Sequence, residues 1–133
     1  MADKLIDKIK HLVEIEEDVF AVFTINSSGE LSNFTIAKNT GGKDILIKNI
    51  YANFKNTSYQ DNKLIFFFIP DNELLGKVKW RVIEYEKIRI LQIIEQNNIV
   101  IVLIKSNTSL DETVDNILGY YYEEEDDIPK SLF

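Results

Sequence analysis

The chain has 133 residues, 45% of them hydrophobic and 28% charged, the balance of one globular domain with one core. It contains no cysteine, which excludes disulfides, thiolate metal sites and cysteine nucleophiles, and fits a reducing, cytoplasmic setting. The formal net charge is −7. Residues 119–133 carry five acids and one lysine, leaving 17 acids against 14 bases in residues 1–118. Such a field disfavours a phosphate backbone, so nucleic acid is not an expected partner. Charges are scattered through the first 18 residues, which predicts neither a signal peptide nor membrane insertion.

Leu5, Ile9, Leu12 and Val13 recur at helical spacing and predict an amphipathic helix over residues 3–17. The acids Glu14, Glu16, Glu17 and Asp18 gather where the macrodipole disfavours negative charge, and help to end it. The unbroken apolar run 19–25 predicts a central strand covered on both faces. A turn at 26–29 precedes an alternating run, 31–38, so the pair predicts a hairpin. Thr40-Gly41-Gly42 breaks the strand, and Ile47, Ile50, Tyr51 and Phe54 then predict a helix from Asp44 to Lys55.

Residues 59–75 admit two readings. Ser58 and Asp61 form a capping pair that opens a helix, whereas Leu64–Ile69 is β-branched and aromatic and also suits a strand; a helix ending at Leu75-Gly76 is the expectation adopted. Three β-rich runs follow at 78–86, 88–96 and 99–105, with Asn97-Asn98 as a hairpin turn. Ser109 or Thr108 then caps a last helix whose buried face carries Leu110, Thr113, Val114, Ile117, Leu118 and Tyr121. The expected fold is α+β: a five-stranded, mainly antiparallel sheet flanked by amphipathic helices in the order α-β-β-α-β-β-β-α. Residues 1–122 form the domain and 123–133 an acidic tail.

Motifs that carry chemistry are missing. Gly41-Gly42-Lys43-Asp44 has neither the upstream glycine nor the hydroxyl of a phosphate loop. His11 is the sole histidine, with no converging partners for catalysis or metal binding. Glu84 and Glu86 read as a solvated strand face rather than a glycosidase pair. No catalytic residue, cofactor or metal site is expected. The unusual residues are aromatic: Phe66-Phe67-Phe68, Trp80 and Tyr120-Tyr121-Tyr122 cannot all point into one small core, and surplus aromatic surface marks association sites.

With these elements placed, the chain resembles the Roadblock family, the dynein light chain type of domain. The resemblance rests on the VFAVFTINSSGELSNFTIA hairpin and on Leu75-Gly76 followed by three strands and a Leu110-led helix at the family's spacing; the stretch from Thr40 to Gly76, with Pro70 in it, is longer than the family's. Longin and profilin folds share the layout, and imply instead a monomeric module for cytoskeletal or trafficking partners. The Roadblock resemblance implies a non-catalytic scaffold that pairs with itself or with a paralogous chain and serves a Ras-like small GTPase or a larger complex. The strand after the central helix would meet its twin at a sheet edge. Trp80, Val82 and Tyr85 on that strand, with Tyr51, Phe54, Phe67 and Phe68 in the helical region, are the expected interface residues.

Overall fold

A computed structural model describes residues 2–26, 30–56, 73–94 and 98–122. Their order is α1 (Ala2–Ile15), β1 (Val19–Asn26), β2 (Leu31–Ile36), α2 (Asp44–Asn56), β3 (Trp80–Glu84), β4 (Arg89–Ile94), β5 (Asn98–Ile104) and α3 (Leu110–Tyr121). The five strands form one antiparallel sheet in the order β2-β1-β5-β4-β3, which is the expected α+β architecture. The expected helix over 59–75 falls mostly outside the described residues, as do Phe67, Phe68 and Leu64–Ile69. Residues 73–75 form a turn rather than a helix end, and Gly76 follows with φ of +88°, a backbone state that glycine adopts without penalty.

Helices cover the sheet on both faces. On one, Ile47, Ile50 and Phe54 of α2 pack against Phe23, Ile25, Ile90, Ile101 and Leu103. On the other, Ile9, Leu12 and Val13 of α1 join Ile117 and Tyr121 of α3 over Val22, Leu91, Ile93, Val100 and Val102. Burial on both faces explains why β1 and β5 are continuous apolar runs, since alternation is needed only where one face meets water. Every residue from Val19 to Ile25 is buried.

The β1–β2 hairpin departs from simple alternation. Val22 faces Thr35 and Thr24 faces Ser32, so β2 carries one extra residue between these pairs. Asn33 there has φ of +57°, and its Nδ2 donates to Thr24 Oγ1 at 3.3 Å. The bulge rotates the strand. Leu31 and Phe34, three residues apart, thereby both reach the cluster under α2.

The last helix is capped by Ser109, whose side chain accepts from the Glu112 N–H. Asp111 and Glu112 in its first turn complement the positive end of the helix dipole. Thr113, Val114, Ile117 and Tyr121 are buried as expected, but Leu110 is 45% exposed. Lys8 of α1 donates from Nζ to the Tyr121 carbonyl at 2.8 Å and so ties α1 to the C-terminal end of α3.

Thr108, the other capping candidate, serves a different purpose. Arg89, 3% exposed, donates to Thr108 Oγ1 and to the Thr108 carbonyl at 3.2 and 3.0 Å and forms an ion pair with Glu84 across the β3–β4 hairpin. Glu84 is therefore bound to a buried guanidinium, not merely part of a solvated face with Glu86. Replacing Glu84 by Gln should lower unfolding stability by about 2 kcal/mol in urea titration. Its side chain is 44% exposed, so water can take up part of the lost contact and the cost stays below that of a fully enclosed pair. An Arg89→Met chain, which strands no buried charge, should lose less.

Candidate functional site

β3 is an edge strand: β4 flanks one side, and among the described residues no strand flanks the other. Its hydrogen-bonding parity follows from two bonds that bracket it. The Ile94 N–H donates to the Lys79 carbonyl at 2.8 Å, and the Tyr85 N–H to the Ile88 carbonyl at 2.9 Å. Antiparallel ladders repeat every second residue, so Arg81 and Ile83 also turn their backbone groups to β4. Trp80, Val82 and Glu84 turn theirs outward, where among the described residues they meet no backbone partner. A row of open N–H and C=O groups is a template for another strand.

Side chains beside this edge leave apolar surface in water. Leu74 and Leu75, just ahead of the strand, are 93% and 85% exposed; Trp80 is 42%, Tyr85 36% and Tyr122 40% exposed. Lys79 Nζ stands 5.2 Å from the centre of the Tyr122 ring, a cation–π contact that joins the start of β3 to the end of α3. Tyr121 is buried and meets Tyr122 edge-on at 5.2 Å. The three consecutive tyrosines thus divide as the helical wheel requires, with Tyr120 half-buried against His11 at 5.6 Å.

The structure separates the expected interface residues. Trp80 and Val82 lie on the parity that faces α1 and α3, where Val82 packs half-buried against that cluster. Tyr85 falls on the other parity, beside Arg81, whose pKa burial lowers while Tyr85 acts in the opposite direction. Arg81 Nε donates to Gln92 Oε1, and Gln92 is wholly buried. Tyr51 is half-buried, stacked on Phe34 with ring centres 4.3 Å apart and 23° between planes. Phe54 is 3% exposed and meets Phe23 at 5.4 Å. Among the described residues it packs in the core cluster of its own chain, with little surface exposed. Phe67 and Phe68 lie outside the described residues.

Leu74, Leu75 and Tyr122 were not among the expected contacts. The tyrosine was within reach of the helical period, which places 122 one step past the buried 114–117–121 line. The two leucines were not, because a helix ending at Gly76 would have given them a buried side.

Two hollows remain. A groove of about 900 Å³ runs between the end of α1 and the β1–β2 pair, walled by Lys10, Glu14, Lys38 and Lys105 among others. A cleft of about 350 Å³ separates the α1–β1 turn from α3, with Glu16, Glu17, Asp18 and Glu112 on its walls. Among the described residues no group of His, Asp or Glu is arranged to hold a metal ion. Burial, followed by the charges of Asp18, Glu112 and Glu17, raises the Glu16 pKa above the ordinary glutamate value. A carboxyl with a raised folded-state pKa destabilises the fold while it is ionised, and that penalty is relieved as pH falls through the raised value. Glu16→Gln should therefore raise the melting temperature near pH 7, by the equivalent of a few tenths of a kcal/mol because solvent screens the site. The advantage should vanish on acidification to about pH 4, below the ordinary glutamate value, as paired thermal melts across this range would record.

No protein-family model matches the chain, and no curated protein matches its sequence. Among the described residues no helix is long and apolar enough to cross a membrane.

Proposed function

We propose that this protein is a non-catalytic, dimeric interaction module of the Roadblock type. It binds or regulates a Ras-like small GTPase, or joins a larger complex, in the cytoplasm. One observation carries the reading: among the described residues β3 holds an open edge, whose outward backbone groups belong to Trp80, Val82 and Glu84. A second copy related by a two-fold axis supplies the complementary edge, because an antiparallel strand centred on Val82 meets itself in register. Trp80 of one copy then faces Glu84 of the other. Trp80 and Tyr122, already part-exposed, lose water at the same junction. A paralogous chain with the same edge would serve equally well. The platform contributes no chemistry of its own, and any change in GTP hydrolysis comes from the bound GTPase's own machinery.

Sedimentation equilibrium over a concentration series tests the pairing. The expected mass rises from 15.5 kDa to twice that value within the micromolar range, and a monomer at tens of micromolar overturns the self-pairing. Affinity capture from native extract, with and without a non-hydrolysable GTP analogue, tests the partner. Nucleotide-dependent recovery of a small GTPase supports the assignment, and a recovered set without one removes it.

A further inference from the structure

The β3 edge is basic within an acidic molecule. From Lys77 to Arg89 there are five bases and two acids in a chain of net charge −7. Lys77, Lys79 and Lys87 are exposed, and among the described residues none of the three forms an ion pair. Directly after Tyr122, whose ring Lys79 already touches, the sequence continues Glu-Glu-Glu-Asp-Asp-Ile-Pro-Lys-Ser-Leu-Phe. An opposite charge therefore starts where the unpaired one lies.

We infer that residues 123–133 dock on the β3 edge of their own chain, the acidic run passing Trp80 as it follows the strand from Lys79 towards Lys87 and the apolar end closing beside Tyr85. Reach permits this. Five extended residues span about 17 Å, close to the length of a five-residue strand such as β3. The acids at 123–127 can therefore follow the edge from Lys79, and Ile128, Leu132 and Phe133 supply an apolar close. A tethered segment acts at an effective concentration of about a millimolar, so even weak docking competes with a second copy. The consequence for self-association rests on the dimeric reading above; the docking itself does not. The tail thus tunes the edge by charge: it covers the strand when its acids are unscreened and yields it when salt or a basic partner draws them away.

Trp80 is the sole tryptophan and reports on the edge directly. The experiment compares the full chain with a full-length form bearing Glu123→Gln, Glu124→Gln, Glu125→Gln, Asp126→Asn and Asp127→Asn. Neutral acrylamide quenches the emission at submicromolar protein, in low salt and in about 1 M salt, where the Debye length falls to about 3 Å. The natural chain should be quenched about half as efficiently as the neutralised one in low salt, and the difference should close in high salt. A Lys77→Glu, Lys79→Glu chain should lose the same protection. Equal quenching of all forms in low salt overturns the docking, and so does protection that grows with protein concentration, because a second copy then covers the edge. Sedimentation separates this result from the dimeric reading: neutralising the tail should tighten self-association roughly tenfold in low salt. Tail-dependent protection in a chain that never dimerises upholds the docking and sinks the dimer, and a dimer without tail-dependent protection does the reverse.

Discussion

Under the proposed pairing through β3, a Val82→Pro chain should fold and remain monomeric at concentrations where the natural chain associates. The direction of one N–H decides the outcome. Arg81 and Ile83 give their backbone groups to β4, whereas Val82 gives its own outward. Proline lacks a donor and is tolerated on an edge strand where that donor faces away from the sheet. The folded chain should therefore lose only about 1–2 kcal/mol, from the altered φ and the reduced contact of residue 82 with the cluster under α1 and α3. The dimer loses more. Val82 sits at the centre of the five-residue strand, so in a two-fold pairing its N–H is used twice, once from each copy, and the proline ring obstructs the approach from both sides. Association should weaken at least about a hundredfold.

The neighbouring position supplies the control. Ile83→Pro deletes a donor aimed at β4 and drives the ring into the sheet itself, so it should unfold or grossly destabilise the domain. Circular dichroism with sedimentation velocity distinguishes the two. A Val82→Pro chain that still dimerises with natural affinity would show that the edge is not the contact.

Periodicity also sets how much of the molecule is legible in its residues. The element order was legible because both periods are strong here. Ile47, Ile50 and Phe54 repeat as a helix, and the 19–25 run is too apolar for anything but a strand covered twice. Legibility failed where a local irregularity shifts the count. The extra residue at Asn33 brings Leu31 and Phe34 to one face, which strict alternation places on opposite faces. At the candidate surface, the sequence marked Trp80 and the tyrosine run as surplus, and both contribute exposed rings. It could not separate Phe54 from Tyr51, since neighbours three residues apart share a helical stripe. Only the depth of the groove between α2 and the sheet decides which ring is enclosed. Tyr85 was grouped with Trp80 by closeness in sequence, although an odd separation in a strand sends side chains to opposite faces. Glu84 was legible as a polar strand position, yet its bond to Arg89 depends on the hairpin register and on the loop that brings Thr108 underneath.

The contrast between Tyr51 and Phe54 yields the second large effect. Phe54 is 3% exposed and lies in one cluster with Phe20, Phe23, Ile47, Ile50 and Leu103, with the Phe23 ring edge-on at 64°. Truncation to alanine removes a full phenyl ring from a site walled by β-strand and helix backbone on opposite sides, which cannot close fully over the vacancy. The expected loss is about 3–5 kcal/mol, a large share of the about 5–15 kcal/mol that stabilises a typical domain. Tyr51 is half-buried and shares its contact between Phe34, stacked, and Phe23, edge-on at 5.2 Å. Tyr51→Ala should cost about 1–2 kcal/mol, the aromatic pairing and part of the area burial, because water reaches the space it leaves. Urea unfolding measured at submicromolar protein, where self-association does not contribute, gives both values. If the two truncations cost the same, α2 does not seat against β1 as the packing of Phe23 and Phe54 requires. If instead Phe54→Ala barely changes stability but weakens self-association, the ring belongs to the partner contact and the core assignment fails. The ordering Phe54 above Tyr51 in stability, with the dimer constant unmoved by Phe54→Leu, is the outcome that the enclosed ring demands.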